Sequence, residues 1–252
     1  MDSKIALITG GSRGLGRNAA YHLAQKGIDI IITYHSNKTE AEKVVAQIES
    51  LGRKAVAIQS DAGDIKGIDS FIRQVSKALH NHWGRTGFDF LINNAGHGAS
   101  IPIANATEED FDRFSDVHFK GVFFLTQKAL AIMNDGGSIV NISSGSTRFN
   151  VPGYAMYASM KGAVEVLTKY LAKELGPRGI SVNIVAPGAV ATDFNNAAVR
   201  SNEAFQKHLS SITALGRPGQ PDDIGGVIAF LCTPEGHWIN GQRVEASGGI
   251  NL

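Results

Sequence analysis

One cysteine in 252 residues leaves no partner for an internal disulfide, and Cys232 follows the apolar helical run Val227 to Leu231. That setting predicts a buried, inert thiol rather than a nucleophile. Charge of either sign is not in excess: 24 basic and 23 acidic residues give +1, with no Lys/Arg cluster. This excludes the electrostatic footprint of a nucleic-acid or anionic-membrane binder, and a small-molecule partner is expected. No apolar run approaches the roughly 20 residues needed to span a bilayer. Met1-Asp2-Ser3-Lys4 runs straight into a strand pattern without the sections of a secretory signal, so a soluble, cytoplasmic protein is expected. Internal repeats, low-complexity tracts and linker-like stretches are also missing, and 26.8 kDa suits one hydrophobic core, so a single domain over 1–252 is expected.

What is present is an alternation of short β-branched runs with longer segments of helical period. Strands are predicted over Lys4–Thr9, Asp29–Tyr34, Lys54–Gln59, Phe88–Asn93, Ser138–Ser143, Ser181–Ala186 and Gln242–Ala246. Continuous apolar stretches such as Ile30-Ile31-Ile32 suit strands buried on both faces. Helices are predicted over Gly14–Gln25, Lys38–Ser50, Ile65–Leu79, Glu108–Met133, Ala155–Leu175 and Pro221–Leu231, with Gly27, Gly52 and Gly176 where C-terminal caps belong. The pattern predicts an α/β, doubly wound, seven-stranded parallel sheet with helices on both faces. His80–Gly87 reads as a surface loop, and 188–219, following a strand end, as a substrate lid.

Thr9-Gly10-Gly11-Ser12-Arg13-Gly14-Leu15-Gly16 lies between the first strand and the first helix. Absent side chains at Gly10, Gly14 and Gly16 let backbone approach a pyrophosphate at a helix N-terminus, so Gly10 to Gly16, with Ser12 and Leu15 included, is the expected dinucleotide cradle. An acidic residue at the end of the second strand would bind a ribose 2′-hydroxyl and repel a 2′-phosphate. None stands there: the sequence reads Thr33-Tyr34-His35-Ser36-Asn37-Lys38. Arg13, whose guanidinium suits phosphate, with Ser36 and Asn37, therefore points to NADP(H) over NAD(H).

Tyr157-Ala158-Ser159-Met160-Lys161, with Ser144 thirteen residues before the tyrosine, supplies candidate chemistry. Residues four apart on a helix have Cβ atoms about 5–6 Å apart, which places the Lys161 ammonium beside the Tyr157 phenol. A nearby cation favours the phenolate, so Tyr157 is expected to titrate below the usual value near 10 and to exchange a proton with a carbonyl or alcohol. Ser144 can hold the same oxygen by a hydrogen bond.

Taken together, Thr9–Gly16, Asn93-Asn94-Ala95-Gly96, Ser144, Tyr157, Lys161 and Pro187-Gly188 resemble the classical short-chain dehydrogenases/reductases over essentially the whole chain. The resemblance implies a Rossmann-type fold in which Asp61 and Ala62 border the adenine. It also places Asn93, Ala95 and Gly96 at the fourth strand end against the cofactor, and Pro187, Gly188, Val190 and Thr192 about the nicotinamide and its phosphates. Tyr157 and Lys161 then lie at the cofactor as well, Lys161 bonding the nicotinamide ribose. One position departs from the pattern: His118 stands where the family carries an asparagine that holds a relay water. A neutral imidazole can donate and accept one hydrogen bond each, so relay and a purely structural role both stay open. A lone histidine without ligand spacing around it gives no metal site. The resemblance further implies a homotetramer.

The expected reaction is reversible hydride transfer between nicotinamide and a carbonyl carbon, with carbonyl reduction the expected direction for NADPH. Ser144, Tyr157, Lys161 and His118 are the candidate catalytic residues, and His97, Phe149, Tyr154 and Phe194 the candidate substrate contacts. A β-ketoacyl thioester reductase or general ketone reductase fits best, with steroid, sugar and polyol substrates open. A redox-sensing or regulatory NADP(H)-binding protein without turnover is the alternative. A serine hydrolase is excluded, because Ser144-Gly145-Ser146 lacks the flanks of a nucleophile elbow.

Overall fold

In the computed structural model, which describes residues 3–195 and 197–252, the apolar runs form seven strands. They are β1 (Ile5–Ile8), β2 (Asp29–Tyr34), β3 (Ala55–Gln59), β4 (Phe88–Asn93), β5 (Met133–Ile142), β6 (Ser181–Pro187) and β7 (Arg243–Ala246). All pair in parallel in the order β3-β2-β1-β4-β5-β6-β7. Successive strand side chains point to opposite faces, which explains the triple isoleucine. Ile30 and Ile32 join one apolar layer with Ala19, Leu23 and Ile228, whereas Ile31 joins the other with Phe71, Val75 and Leu79.

The first layer is covered by α1 (Gly14–Gln25), α2 (Lys38–Ser50) and α9 (Asp222–Leu231). On the other side lie α3 (Ile68–Trp83), α4 (Glu108–Ser115), α5 (Gly121–Ala129) and α6 (Ala155–Glu174). Between β6 and α9, within the expected lid, run α7 (Ala198–Ser201) and α8 (Glu203–Ser211). Cys232 is buried in the first layer, where burial pushes its thiol up to about 12. Among the described residues no helix is long and apolar enough to cross a membrane, and no group of three or more His, Cys, Asp or Glu side chains could hold a metal ion.

The larger departures from the sequence reading lie at the third helix, the long helix after it and the fifth strand. The loop expected over His80–Gly87 is helical as far as Trp83, because the indole Nε1 donates to the buried Asp29 carboxylate at 2.9 Å and Leu79 is fully buried. The same helix starts at Ile68 rather than Ile65, since Asp64 accepts from the Gly67 N–H at 3.0 Å and holds a turn there. The long helix expected over Glu108–Met133 is broken by a π-helical turn at Asp116–Lys120 and closes in a 3-10 turn at Leu130–Ile132, so β5 begins at Met133 instead of Ser138. Arg178 donates to the carbonyls of Leu130 and Met133 at this junction, satisfying the helix end. Gly27 and Gly52 follow α1 and α2 as expected, but Gly176 precedes Pro177 and enters a 3-10 turn, leaving the left-handed position to Gly179.

At the amino ends of the strands, the buried Asp89 carboxylate accepts from Lys4 Nζ at 3.0 Å, the Ile5 N–H at 2.8 Å and Asn134 Nδ2 at 3.0 Å. It joins β1, β4 and β5. Replacing Asp89→Ala strands the buried Ile5 N–H and is expected to lower unfolding free energy by about 2 kcal/mol. Urea denaturation checks this, and an unmoved midpoint refutes it.

Candidate active site

Strand order reverses between β1 and β4, and open α/β sheets place ligands in the crevice outside the carboxyl ends at such a point. Here the two strand ends are stitched together. Thr9 Oγ1 accepts from the N–H groups of Asn94 and Ala95, each at 2.9 Å, while Asn94 Nδ2 donates to the carbonyls of Thr9 and Gly10 at 2.8 and 3.1 Å. The Gly10 N–H in turn donates to Thr33 Oγ1 at 3.0 Å, drawing in β2.

This closeness demands glycine. Gly10 has φ +65°, and a Cβ there would stand 2.9 Å from Ala95 Cα. At Gly16 a Cβ would meet the Gly10 carbonyl oxygen at 2.4 Å, so Gly16 lies inside the packing and does not itself face the crevice; it lets α1 approach the turn. Gly10, Ser12, Arg13, Gly14 and Leu15 border a cavity of about 1520 Å³. Pro187, Gly188, Val190 and Thr192 line its far wall, and Ala95 and Gly96 its floor. A cavity of about 550 Å³ continues it past the β2 and β3 ends, bordered by Ser36, Asp61, Ala62 and Asn93. A glycine-rich turn opening α1, joined to these cavities, fits a dinucleotide.

Two expected cofactor residues also make structural hydrogen bonds. Asn93 is buried, and its Nδ2 donates to Asn141 Oδ1 at 2.8 Å and Thr126 Oγ1 at 3.0 Å, knitting β4 to β5 and α5. Asn37 caps α2, its Oδ1 accepting from the Glu40 N–H at 3.1 Å. His35, not anticipated, borders both cavities with its Nε2 3.6 Å from Asp61.

Tyr157 and Lys161 lie one turn apart on α6, and both border the larger cavity with Ser144. Lys161 Nζ stands 5.6 Å from the Tyr157 ring centroid and donates to the Ile142 carbonyl at 2.8 Å. The phenol is not acidified as the spacing predicted. Burial pushes it up to about 12, outweighing the Ser144 hydroxyl bond that favours the phenolate. Burial also lowers Lys161 to about 8. Desolvation disfavours both charged forms. Ser144 Oγ accepts from the Ser146 N–H at 3.2 Å and from Ser146 Oγ at 2.9 Å, leaving its own proton free to donate.

His118 sits in the π-helical turn, fully buried, with its ring 5.1 Å from that of Tyr157. Its Nε2 accepts from the His97 N–H at 3.4 Å, which puts the imidazole proton on Nδ1, a buried donor without a protein partner. Burial, then the Lys161 charge, holds it well below the usual histidine range, so it is neutral. Gly96 makes room for this ring: a Cβ there would stand 2.8 Å from His118 Cε1.

His97, Phe149, Tyr154 and Phe194 all border the larger cavity. Phe194 is 6.0 Å from Tyr157 between ring centroids, and the Tyr154 hydroxyl is bound by Asn195 Nδ2. Ile250 and Asn251, from the C-terminal end of the chain, also reach the cavity. No local motif announces them; they arrive because Thr213 and Ile250 pair in an antiparallel bridge beneath α8.

A family model described as enoyl-(acyl carrier protein) reductase matches residues 10–251. This chain belongs to the classical short-chain dehydrogenases/reductases. It is 37% identical over 257 residues to the hydroxynaphthalene reductase-like protein Arp2 of Metarhizium brunneum, covering 98% of this chain and 94% of that one. LugOII, a promiscuous reductase that catalyses keto-reduction at C1 during lugdunomycin biosynthesis, superposes with a TM-score of 0.94 at 37% identity, covering 100% of this chain and 99% of that one. The angucycline C-6 ketoreductase LanV, solved with bound NADP, gives 0.93 at 36%, covering 99% and 96%. As a short-chain dehydrogenase/reductase related to ketoreductases, the protein is an oxidoreductase for which a nicotinamide cofactor and carbonyl chemistry are supported.

The desolvated Lys161 amine is expected to titrate near 8. Competitive acetylation of Lys161 against exposed lysines across pH checks this, and an apparent value above 10 refutes it.

Proposed function

We propose that this protein is an NADPH-dependent ketone reductase in which Tyr157 is the proton donor. The carrying observation is the convergence of Tyr157, Lys161 and Ser144 with the glycine cradle on one cavity. The bound nicotinamide supplies the hydride; the chain manages the oxygen. Ser144 and Tyr157 donate to the substrate carbonyl oxygen, and their bonds strengthen as negative charge grows there, so they lower the barrier more than they tighten binding. A phenol raised to about 12 keeps its proton at neutral pH, and an alkoxide is a stronger base than a phenolate, so the transfer runs toward alcohol. Lys161, fixed on the Ile142 carbonyl, steadies the phenolate left behind.

His118 takes the asparagine's place as the relay residue in this reading, its unpartnered Nδ1–H offering a hydrogen bond to a solvent molecule that returns a proton through Lys161. NADP(H) over NAD(H) is supported by Arg13 at the larger cavity, Ser36 at the smaller one and the NADP held by LanV. An aromatic or fused-ring ketone is favoured by the wall of His97, Phe149, Tyr154 and Phe194 and by the hydroxynaphthalene reductase-like relative. Residues 188–219 act as the substrate lid. A homotetramer is supported by apolar surface on α5 and α6, where Phe123, Phe124 and Tyr170 are exposed.

NADPH oxidation followed at 340 nm with a panel of aryl and fused-ring ketones tests the reading. Tyr157→Phe is expected to lower kcat about a thousandfold while NADPH affinity holds; near wild-type turnover overturns the assignment. By calorimetry, NADPH is expected to bind at least about tenfold more tightly than NADH, with Arg13→Ala narrowing the gap. Equal dissociation constants in the unmodified protein remove the cofactor preference.

A further inference from the structure

We infer that Glu165 is a positioning residue that fixes the Ser144 loop against the helix carrying Tyr157 and Lys161. Glu165 lies one turn beyond Lys161 on α6, on the cavity-remote side of the reacting groups, and it borders neither cavity. Its Oε1 gathers three donors: Ser143 Oγ at 2.6 Å, Thr147 Oγ1 at 2.8 Å and Arg243 Nε at 2.8 Å. Ser143 and Thr147 flank Ser144 on both sides, so one carboxylate oxygen anchors both ends of the short turn that carries the serine hydroxyl.

Arg243, on the edge strand β7, completes the clamp from the opposite direction. Its Nη2 stands 3.2 Å from the Ser144 carbonyl oxygen and 3.2 Å from Thr147 Oγ1, while Nη1 donates to Glu245 at 2.8 Å. Glu245 takes a fork of bonds from Arg148, which also reaches the carbonyls of Ile250 and Asn251. The chain of bonds from Glu165 through Arg243 and Glu245 thus holds the loop at Ser143, Ser144, Thr147 and Arg148. Charge-assisted bonds to a largely buried carboxylate are stronger and more directional than bonds between neutral groups.

The loop forms one short 3-10 turn, Gly145–Thr147, and these bonds tie that turn to α6 and β7. The Ser144 hydroxyl is bonded only by Ser146 and toward Tyr157, so its long-range restraint comes from the Ser144 carbonyl held by Arg243 and from the neighbours held by Glu165. A misplacement of about 1 Å at a reacting group is enough to lower turnover about a hundredfold. Removing Glu165 is therefore expected to act on kcat through Ser144, with nucleotide binding at the distant glycine turn untouched.

The test combines kinetics with amide exchange. Glu165→Ala is expected to lower kcat for ketone reduction at least about tenfold with an unchanged KM for NADPH, and to have no further effect when Ser144→Ala is already present, as coupled residues require. Amides of Gly145–Arg148 are expected to exchange at least about tenfold faster in Glu165→Ala, with those of Gly10–Gly16 unchanged. Thr147→Val, which removes one of the three bonds, carries the same test if Glu165→Ala does not fold. Unchanged loop exchange, an unchanged kcat despite faster exchange, or a further loss of turnover on adding Glu165→Ala to Ser144→Ala each overturns the inference. The kinetic arm rests on the ketone-reductase reading. A wild-type protein that turns over no ketone ends that reading, and loop exchange then decides the clamp by itself.

Discussion

Desolvation of the Tyr157–Lys161 pair is the constraint from which the rest of the site follows. Helical spacing places an ammonium beside a phenol, but spacing alone does not say which form each prefers. In a water-exposed setting the cation would dominate and the tyrosine would become more acidic. Buried together, each resists its charged form, and the outcome is a phenol near 12 and an amine near 8. The buried amine donates to the Ile142 carbonyl at 2.8 Å. The pair is thereby set as a reluctant acid beside a readily titrated amine, an arrangement suited to delivering a proton to a strongly basic oxygen.

The same end of the sheet has to be both tightly joined and open. Thr9 and Asn94 bind the β1 and β4 ends so closely that a methyl group at Gly10 or Gly16 has no room. That closeness demands glycine at 10 and 16 and leaves α1 starting beside the cavity. Fold and cradle are one constraint seen twice: the contact that closes the sheet at the strand-order reversal also clears the space above it.

How much of this was legible depends on how far apart in sequence the partners are. The strands, five of the six expected helices and the glycine turn rest on local periodicity, and the Tyr157–Lys161 spacing is fixed by one helical turn; these were readable. The extension of α3 to Trp83 was not, because it depends on Asp29, 54 residues away, accepting from the indole. The early start of β5 depends likewise on Arg178, from beyond α6, capping the helix end before it. Asn93 borders the smaller cavity and also ties β4 to Thr126 and Asn141 through its Nδ2, a bond its motif does not reveal. The direction of the Tyr157 shift was missed because burial is a property of the assembled pocket, whereas the neighbouring charge is visible in five consecutive letters.

The two sides of the cavity are built differently, and this explains why reaction type is easier to read than substrate. The chemistry side stands on strand ends and on α6, where hydrogen bonds cross from one element to the next and each group has several restraints. The lid side is a long excursion closed at its neck. Ala191 donates to the Gly219 carbonyl at 2.9 Å and Gly219 to the Ala189 carbonyl at 2.8 Å, so both ends of the loop are fixed to each other. Between them α7 has only four residues and α8 nine, with Leu209 the buried residue of the pair. Apart from 212–215, which the C-terminal end holds by backbone bonds, side chains on such a loop can change without disturbing the sheet. Phe194 and Phe205 stand on that loop, whereas Gly10 is fixed by the packing of the strand ends. The architecture thus restrains the proposed reacting groups through several elements and leaves the proposed substrate contact Phe194 on a loop.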